Sequence, residues 1–180
     1  AMESADLVSL TTAQVSSMTS AQIVALTTYQ ISKLLTAQIS ALSTQAIAAI
    51  ETDDIAALTT AQVAAMTTNQ IKALATNQVV ALTTAQTASL KTAQLLAFST
   101  NQLRALETTD FAALTTAQMA VLSTSQISSL STAHIAAITT SQISSLSTNQ
   151  LTAFTSSQIN ALSTAQISAM TSAQKKIIGY

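Results

Sequence analysis

The chain has 180 residues, of which 48% are hydrophobic and only 7% are charged, and its formal net charge is -1. So little charge excludes the basic surface that nucleic-acid binding requires, and no segment approaches the 18 consecutive apolar residues of a membrane-spanning helix. The sequence contains no cysteine, which excludes disulfide bonds and thiol chemistry. We therefore expect no nucleic-acid partner and no membrane span.

One eight-residue unit, repeated 22 times without insertion or deletion, occupies residues 3–178. Its consensus is [ST]-T-x-Q-[IVL]-x-A-L, and we number its positions as columns one to eight. Tandem repetition at a short fixed period is typical of a solenoid. We expect residues 3–178 to form a single array. Residues 1–2 are interpreted as a cloning remnant of an excised fragment, and residues 179–180 as a C-terminal tail.

Each unit is predicted to form one very short helix. Columns five and eight carry large apolar residues three positions apart, which places them on one helical face, and strict alternation typical of a strand is absent. A single continuous helix is excluded because eight residues advance about 800°, so the apolar stripe would drift about 80° per unit. The predicted fold is therefore an all-α solenoid or superhelix, with helices of five or six residues and corners at columns one and two. A β-region N-cap makes such a corner without positive φ.

Columns one and four supply the capping-box pattern, a hydroxyl followed three residues later by Gln, although column two is an equally possible cap. Burying two apolar side chains contributes roughly 3–6 kcal/mol per unit, whereas ordering eight residues costs about 8–16 kcal/mol. Stability must therefore come from stacked units, and we expect column-four Gln to form an internal ladder to backbone groups at the corners. The residues assigned to caps and ladder are Thr12, Gln14, Thr60, Gln62, Thr116 and Gln118.

Three units replace column-four Gln with Asp, and each then has Glu in column one. Acidic groups in a first helical turn interact favourably with the helix dipole, so capping is the first interpretation. The alternative is a Ca²⁺ site, although two or three oxygens fall short of the six to eight that Ca²⁺ takes. Its candidate ligands are Glu51, Asp54, Glu107 and Asp110. Glu51 and Glu107 are 56 residues, or seven units, apart, whereas Glu3 and Glu51 are six units apart; the longer spacing indicates either a duplicated seven-unit block or a superhelical turn of about seven units.

The single histidine, His134, also replaces a column-four Gln and is interpreted as a substitute ladder donor. Nothing in the sequence positions a nucleophile beside a base, as catalysis by a Ser-His-Asp arrangement requires. We therefore predict no catalytic residues, no cofactor and no enzymatic activity.

Two resemblances bear on function. The segment 74–82, Leu-Ala-Thr-Asn-Gln-Val-Val-Ala-Leu, resembles one helix of transcription activator-like effector repeats. The second helix, the base-reading loop and the basic charge of that family are missing, so DNA binding is not carried over. The whole array resembles the T-T-A-Q-I-A-A-L octapeptide tracts of very large bacterial proteins, which implies an extracellular or cell-surface location.

These observations predict a structural segment, such as a spacer, stalk or scaffold of a larger bacterial surface or secreted protein. One alternative is a protein- or glycan-binding module that uses the variable columns one, three and six. Two others are ice binding by the regularly spaced threonines and end-to-end self-association, because the ends of a solenoid expose stacking surface unless they are capped.

Overall fold

A computed structural model describes residues 3–180, which form 22 short α-helices, one in each octapeptide unit, and no strand. The chain separates into two compact halves of eleven units each, with the boundary between Leu90 and Lys91. The first half contains α1 Ser4–Ser9, α2 Thr12–Ser16, α3 Ser20–Val24, α4 Thr28–Lys33, α5 Thr36–Ala41, α6 Thr44–Ala49, α7 Thr52–Ala57, α8 Thr60–Ala65, α9 Thr68–Ala73, α10 Thr76–Val80 and α11 Thr84–Ser89. The second half contains α12 Thr92–Ala97, α13 Thr100–Ala105, α14 Thr108–Ala112, α15 Thr116–Val121, α16 Thr124–Ser129, α17 Thr132–Ala137, α18 Thr140–Ser145, α19 Thr148–Leu151, α20 Ser156–Asn160, α21 Thr164–Ala169 and α22 Ser172–Ile178.

The helices have the predicted length of five or six residues, except for the four residues of α19 and the seven of α22. Helices this short do not persist alone in water, because the cost of nucleation outweighs the few hydrogen bonds that follow. Their stability therefore comes from packing between units. Within residues 3–180, no helix combines the length and the apolarity needed to cross a bilayer.

The corners between helices lie at columns eight and one, one residue earlier than predicted. At the corner between α7 and α8, Leu58 has φ -58° and ψ 138°, and Thr59 has φ -69° and ψ 157°. The column-two residue that follows is already helical, so it takes no part in the corner. Two extended residues redirect the chain without a left-handed conformation, and Gly179, at φ 85°, is the only described residue with positive φ.

Each helix packs against the helix three units later in the same half, as α1 does against α4 and α19 against α22. This repeated packing buries column five and column eight in the core of each half, as the apolar pattern predicts. Column-five side chains such as Ile31 and Phe111 have no exposed surface. The all-α solenoid with one helix per repeat is confirmed in each half.

Candidate functional site

The beginning of each consensus helix is closed by a reciprocal pair of hydrogen bonds between columns one and four. In α8, the backbone N–H of Gln62 donates to Thr59 Oγ1 at 3.2 Å, and the backbone N–H of Thr59 donates to Gln62 Oε1 at 2.7 Å. This arrangement is a capping box, which satisfies two N–H groups that a helix start leaves without partners. Column one is therefore the N-cap, and the column-two alternative is wrong.

The three threonines assigned to caps each begin a helix instead: Thr12, Thr60 and Thr116. The N-cap is the residue immediately before each of them. A capping box joins residues three apart, and column one is three residues before the Gln, whereas column two is only two before it.

Replacing Thr59 with alanine should lower the free energy of unfolding by about 1 kcal/mol, because its hydroxyl accepts from the Gln62 N–H. Thr60→Ala is the matched control and should change stability by no more than about 0.5 kcal/mol, because Thr60 is exposed at the first helical position. Chemical denaturation of both variants measures the difference. An equal loss in the two variants would contradict the column-one assignment.

The side-chain amide nitrogen of column-four Gln connects its unit to the unit four positions earlier. Gln62 Nε2 donates to Ile31 O at 3.1 Å and to Leu34 O at 2.7 Å, which are the column-five and column-eight carbonyls of that earlier unit. The same pairing to columns five and eight recurs in both halves, and we call it the glutamine ladder. Its other members with both bonds are Gln38, Gln70, Gln78, Gln86, Gln126, Gln150, Gln158, Gln166 and Gln174.

The ladder solves the problem that many short helices create, which is an excess of helix ends with carbonyls that lack intrahelical partners. One Gln closes the start of its own helix with Oε1 and the end of an earlier helix with Nε2. Gln62 is only 2% exposed, so both carbonyls and the amide would remain unpaired in the core without this arrangement. Asn is too short to span the same groups, and Glu has no donor.

The ladder also gives the period of the superhelix within each half. Each member of the glutamine ladder bonds a column-eight carbonyl 28 residues earlier, which equals three and a half units, while helices three units apart pack against each other. One turn therefore contains between three and four units, which excludes the alternative of a turn of about seven units. The 56-residue spacing seen in the sequence equals two ladder steps of 28 residues.

The three Gln residues assigned to the ladder differ in their surroundings. Gln62 makes the complete set of ladder and capping bonds described above. Gln118 is buried, and its Oε1 accepts the N–H of Thr115 at 2.6 Å. Gln14 lies in the first turn and is exposed. Its Oε1 accepts from the Thr11 N–H at 2.8 Å, and its Nε2 donates no hydrogen bond within residues 3–180.

His134 performs the same task with a different side chain. Its Nε2 lies 2.9 Å from Leu106 O, 28 residues earlier, and its Nδ1 lies 2.5 Å from Ser131 Oγ. Because a carbonyl only accepts, Nε2 carries the proton, and Nδ1 then accepts from the Ser131 hydroxyl. The ring also packs edge-on against Phe111, with centroids 5.2 Å apart. This geometry makes His134 a ladder donor.

In each acid pair the column-four Asp lies in the first helical turn and the column-one Glu is the N-cap residue, but the side chains of Glu51 and Glu107 accept no capping hydrogen bond. In α1 the N–H of Glu3 donates to Asp6 Oδ2 at 3.3 Å. In the second and third pairs the column-one Glu is exposed and the column-four Asp is buried. Residues 3–180 contain no group of three or more His, Asp or Glu side chains that could hold a metal ion. The Ca²⁺ site at Glu51, Asp54, Glu107 and Asp110 stays a prediction.

A groove of about 320 Å³ lies between the start of α7 and the start of α10. Its polar lining comes from Glu51, Thr52 and Asp53 on one side and from Asn77 and Gln78 on the other. The groove is a polar surface depression of the repeat.

Comparison with known proteins agrees with the repeated geometry. No curated protein matches the chain, and no solved structure does. The family model of the ALTTAQ repeat matches residues 1–36, 47–84, 87–124, 104–140, 116–148 and 148–175. These matches cover most of the sequence and follow the octapeptide period whose columns form the caps, core and ladder described above. The chain therefore belongs to the ALTTAQ repeat family.

Proposed function

We propose that this repeat array is a structural segment, a spacer, stalk or scaffold, of a larger bacterial protein that is secreted or carried on the cell surface. The observation that supports this proposal most directly is the glutamine ladder. Within each half, the units that carry a ladder Gln are bonded to the unit four positions earlier by the same groups at similar distances. Adding a unit adds the same contacts again, so the length of the segment is set by the number of repeats.

The surface chemistry supports the same function. Columns two, three and six are mostly exposed or half-exposed, and they carry mainly Ser, Thr, Ala and Asn. Such a surface presents few charges to attract partners, substrates or nucleic acid, which suits a segment that separates other domains. The proposal includes no catalytic residue and no cofactor.

We expect the free energy of unfolding to rise in equal steps as consensus units are inserted after Leu130, and the maximum dimension measured by small-angle X-ray scattering to rise linearly. The physical reason is that stability in a repeat array is a sum over units and their neighbours. Gly/Ser insertions of the same length at the same site are the matched control, and they should add no stability. If added units left stability unchanged or produced a more compact particle, the spacer proposal would be wrong.

Protease accessibility of the parent protein on intact cells tests the surface location.

A further inference from the structure

Column-eight side chains face the preceding turn of the array. In the first three units they are half-exposed, at Leu10, Met18 and Leu26. From Leu34 onward they are buried, beginning in the first unit whose helix, α4, has a partner three units before it. The first turn therefore presents a half-exposed apolar surface, which we call the start face, together with the exposed amides of Gln14 and Gln22.

Column-five side chains face the following turn. They are buried from Leu7, whose helix packs on α4, to Leu151, whose helix packs on α22, and they become half-exposed at Ile159 and Ile167 in the last turn. We call the surface formed by Ile159 and Ile167 and the adjacent helix ends the end face. Within each half, helices three units apart pack against each other. Because column eight is half-exposed only at the start of the array and column five only at its end, we take the two faces as the two sides of one interface.

The hydrogen-bonding groups of the two faces are complementary in the same way. The Nε2 groups of Gln14 and Gln22 donate no hydrogen bond within residues 3–180, although their Oε1 atoms cap their own helices. The column-eight carbonyls of Leu162 and Met170 accept none within the same residues. Inside the second half such groups meet, where Gln158 Nε2 donates to Leu130 O at 2.8 Å. The start face therefore carries unused donors and the end face unused acceptors.

The charges at the two ends favour the same orientation. The first unit carries Glu3 and Asp6, and the last unit carries Lys175 and Lys176. Opposite charges favour a start face meeting an end face, and like charges disfavour a start face meeting another start face.

We propose that the start face of one chain stacks on the end face of a second copy, in the register that the array uses internally. In this register Gln14 of one chain donates to the Leu162 carbonyl of the other, and Gln22 donates to the Met170 carbonyl. Such a contact is heterologous, so it propagates into linear assemblies instead of ending at a two-fold dimer. It extends beyond the proposed function and does not depend on it, because a spacer requires no self-association.

The test uses light scattering after size-exclusion chromatography, over a concentration series of the 180-residue chain. We expect the mass to rise above that of a monomer with concentration and to fall again as salt screens the end charges. Met18→Glu with Leu26→Glu blocks the start face, and Ile159→Glu with Ile167→Glu blocks the end face. Each double variant alone should be monomeric. Their equimolar mixture should form a one-to-one dimer, because it contains one intact face of each kind.

Ser16→Glu with Val24→Glu is the matched control, because it adds the same charge in the same units at exposed column-six positions. This variant should associate as the parent does. A milder start-face variant, Gln14→Glu with Gln22→Glu, keeps oxygen atoms for capping and removes the donors, and it should weaken association. Circular dichroism reports whether each variant keeps the parent helicity. A parent that stays monomeric at every concentration, or a mixture of helical blocked variants that stays monomeric, would overturn the proposal.

Discussion

Alanine at Gln142, Gln150 and Gln158 together should lower the free energy of unfolding by roughly 3–9 kcal/mol, because each buried unpaired acceptor or donor costs about 1–3 kcal/mol. Gln142 donates to Ala112 O at 2.9 Å and to Leu114 O at 2.6 Å, and the other two make equivalent bonds. The expected loss is comparable with the whole stability of an ordinary domain, about 5–15 kcal/mol. Thermal melting followed by circular dichroism measures it.

The control for this variant removes polar side chains from the same three units without touching the ladder. Ser141→Ala, Asn149→Ala and Ser157→Ala alter exposed column-three positions, and each should change stability by no more than about 0.5 kcal/mol. Glu at the three Gln positions separates the two roles of the amide, because it keeps an oxygen for the cap and loses the donor. If the triple alanine variant had the same melting temperature as its control, the ladder would contribute nothing to stability.

The second large effect is expected from exchanging two neighbouring residues in the sixth unit. This unit has Gln45 in column three and Ala46 in column four, the reverse of the usual order. Ala46 is fully buried, and its backbone N–H donates to Ser43 Oγ at 3.1 Å. It has no side-chain amide that could donate to the carbonyls of the unit four positions earlier. Gln45→Ala with Ala46→Gln should therefore raise stability by roughly 1–3 kcal/mol through two or three new hydrogen bonds.

The reverse exchange, Ala61→Gln with Gln62→Ala in the eighth unit, should lower stability by a similar amount. It removes the bonds from Gln62 Nε2 to Ile31 O and Leu34 O and the cap on Thr59. Both exchanges leave composition, mass and charge unchanged, so opposite shifts in melting temperature report the position of the amide alone. Shifts of the same sign in the two variants would contradict the ladder's role.

Most features that were predicted correctly act within one unit, and the exception is the ladder from column-four Gln to backbone groups at the corners. The three-residue separation of columns five and eight identifies a helical face, and the drift of that face over eight residues excludes one long helix. The hydroxyl and the Gln are three residues apart, which is the geometry of a capping box. His134 was also assigned correctly to the ladder, because it substitutes within a column whose role the other units define.

The errors came from features that depend on a neighbouring residue or a distant turn. Ser or Thr occupies both column one and column two, so composition alone did not decide between Thr59 and Thr60 as the cap. The 56-residue spacing of the second and third acid pairs left a turn of about seven units open as one of two alternatives, because a spacing in sequence can equal a multiple of the turn as well as the turn itself. The ladder step of 28 residues is half of that spacing.

The sequence by itself determined the period, the helix in each unit and the apolar and capping columns, because these follow from hydrogen bonds and side-chain directions within eight residues. Only the tertiary structure decided that Gln62 Nε2 reaches Ile31 O and Leu34 O, and that a turn contains between three and four units. It also decided that column eight faces the preceding turn and column five the following one. These properties arise from how helices three units apart fit against each other, and identical units give no local signal of which copy will be the neighbour.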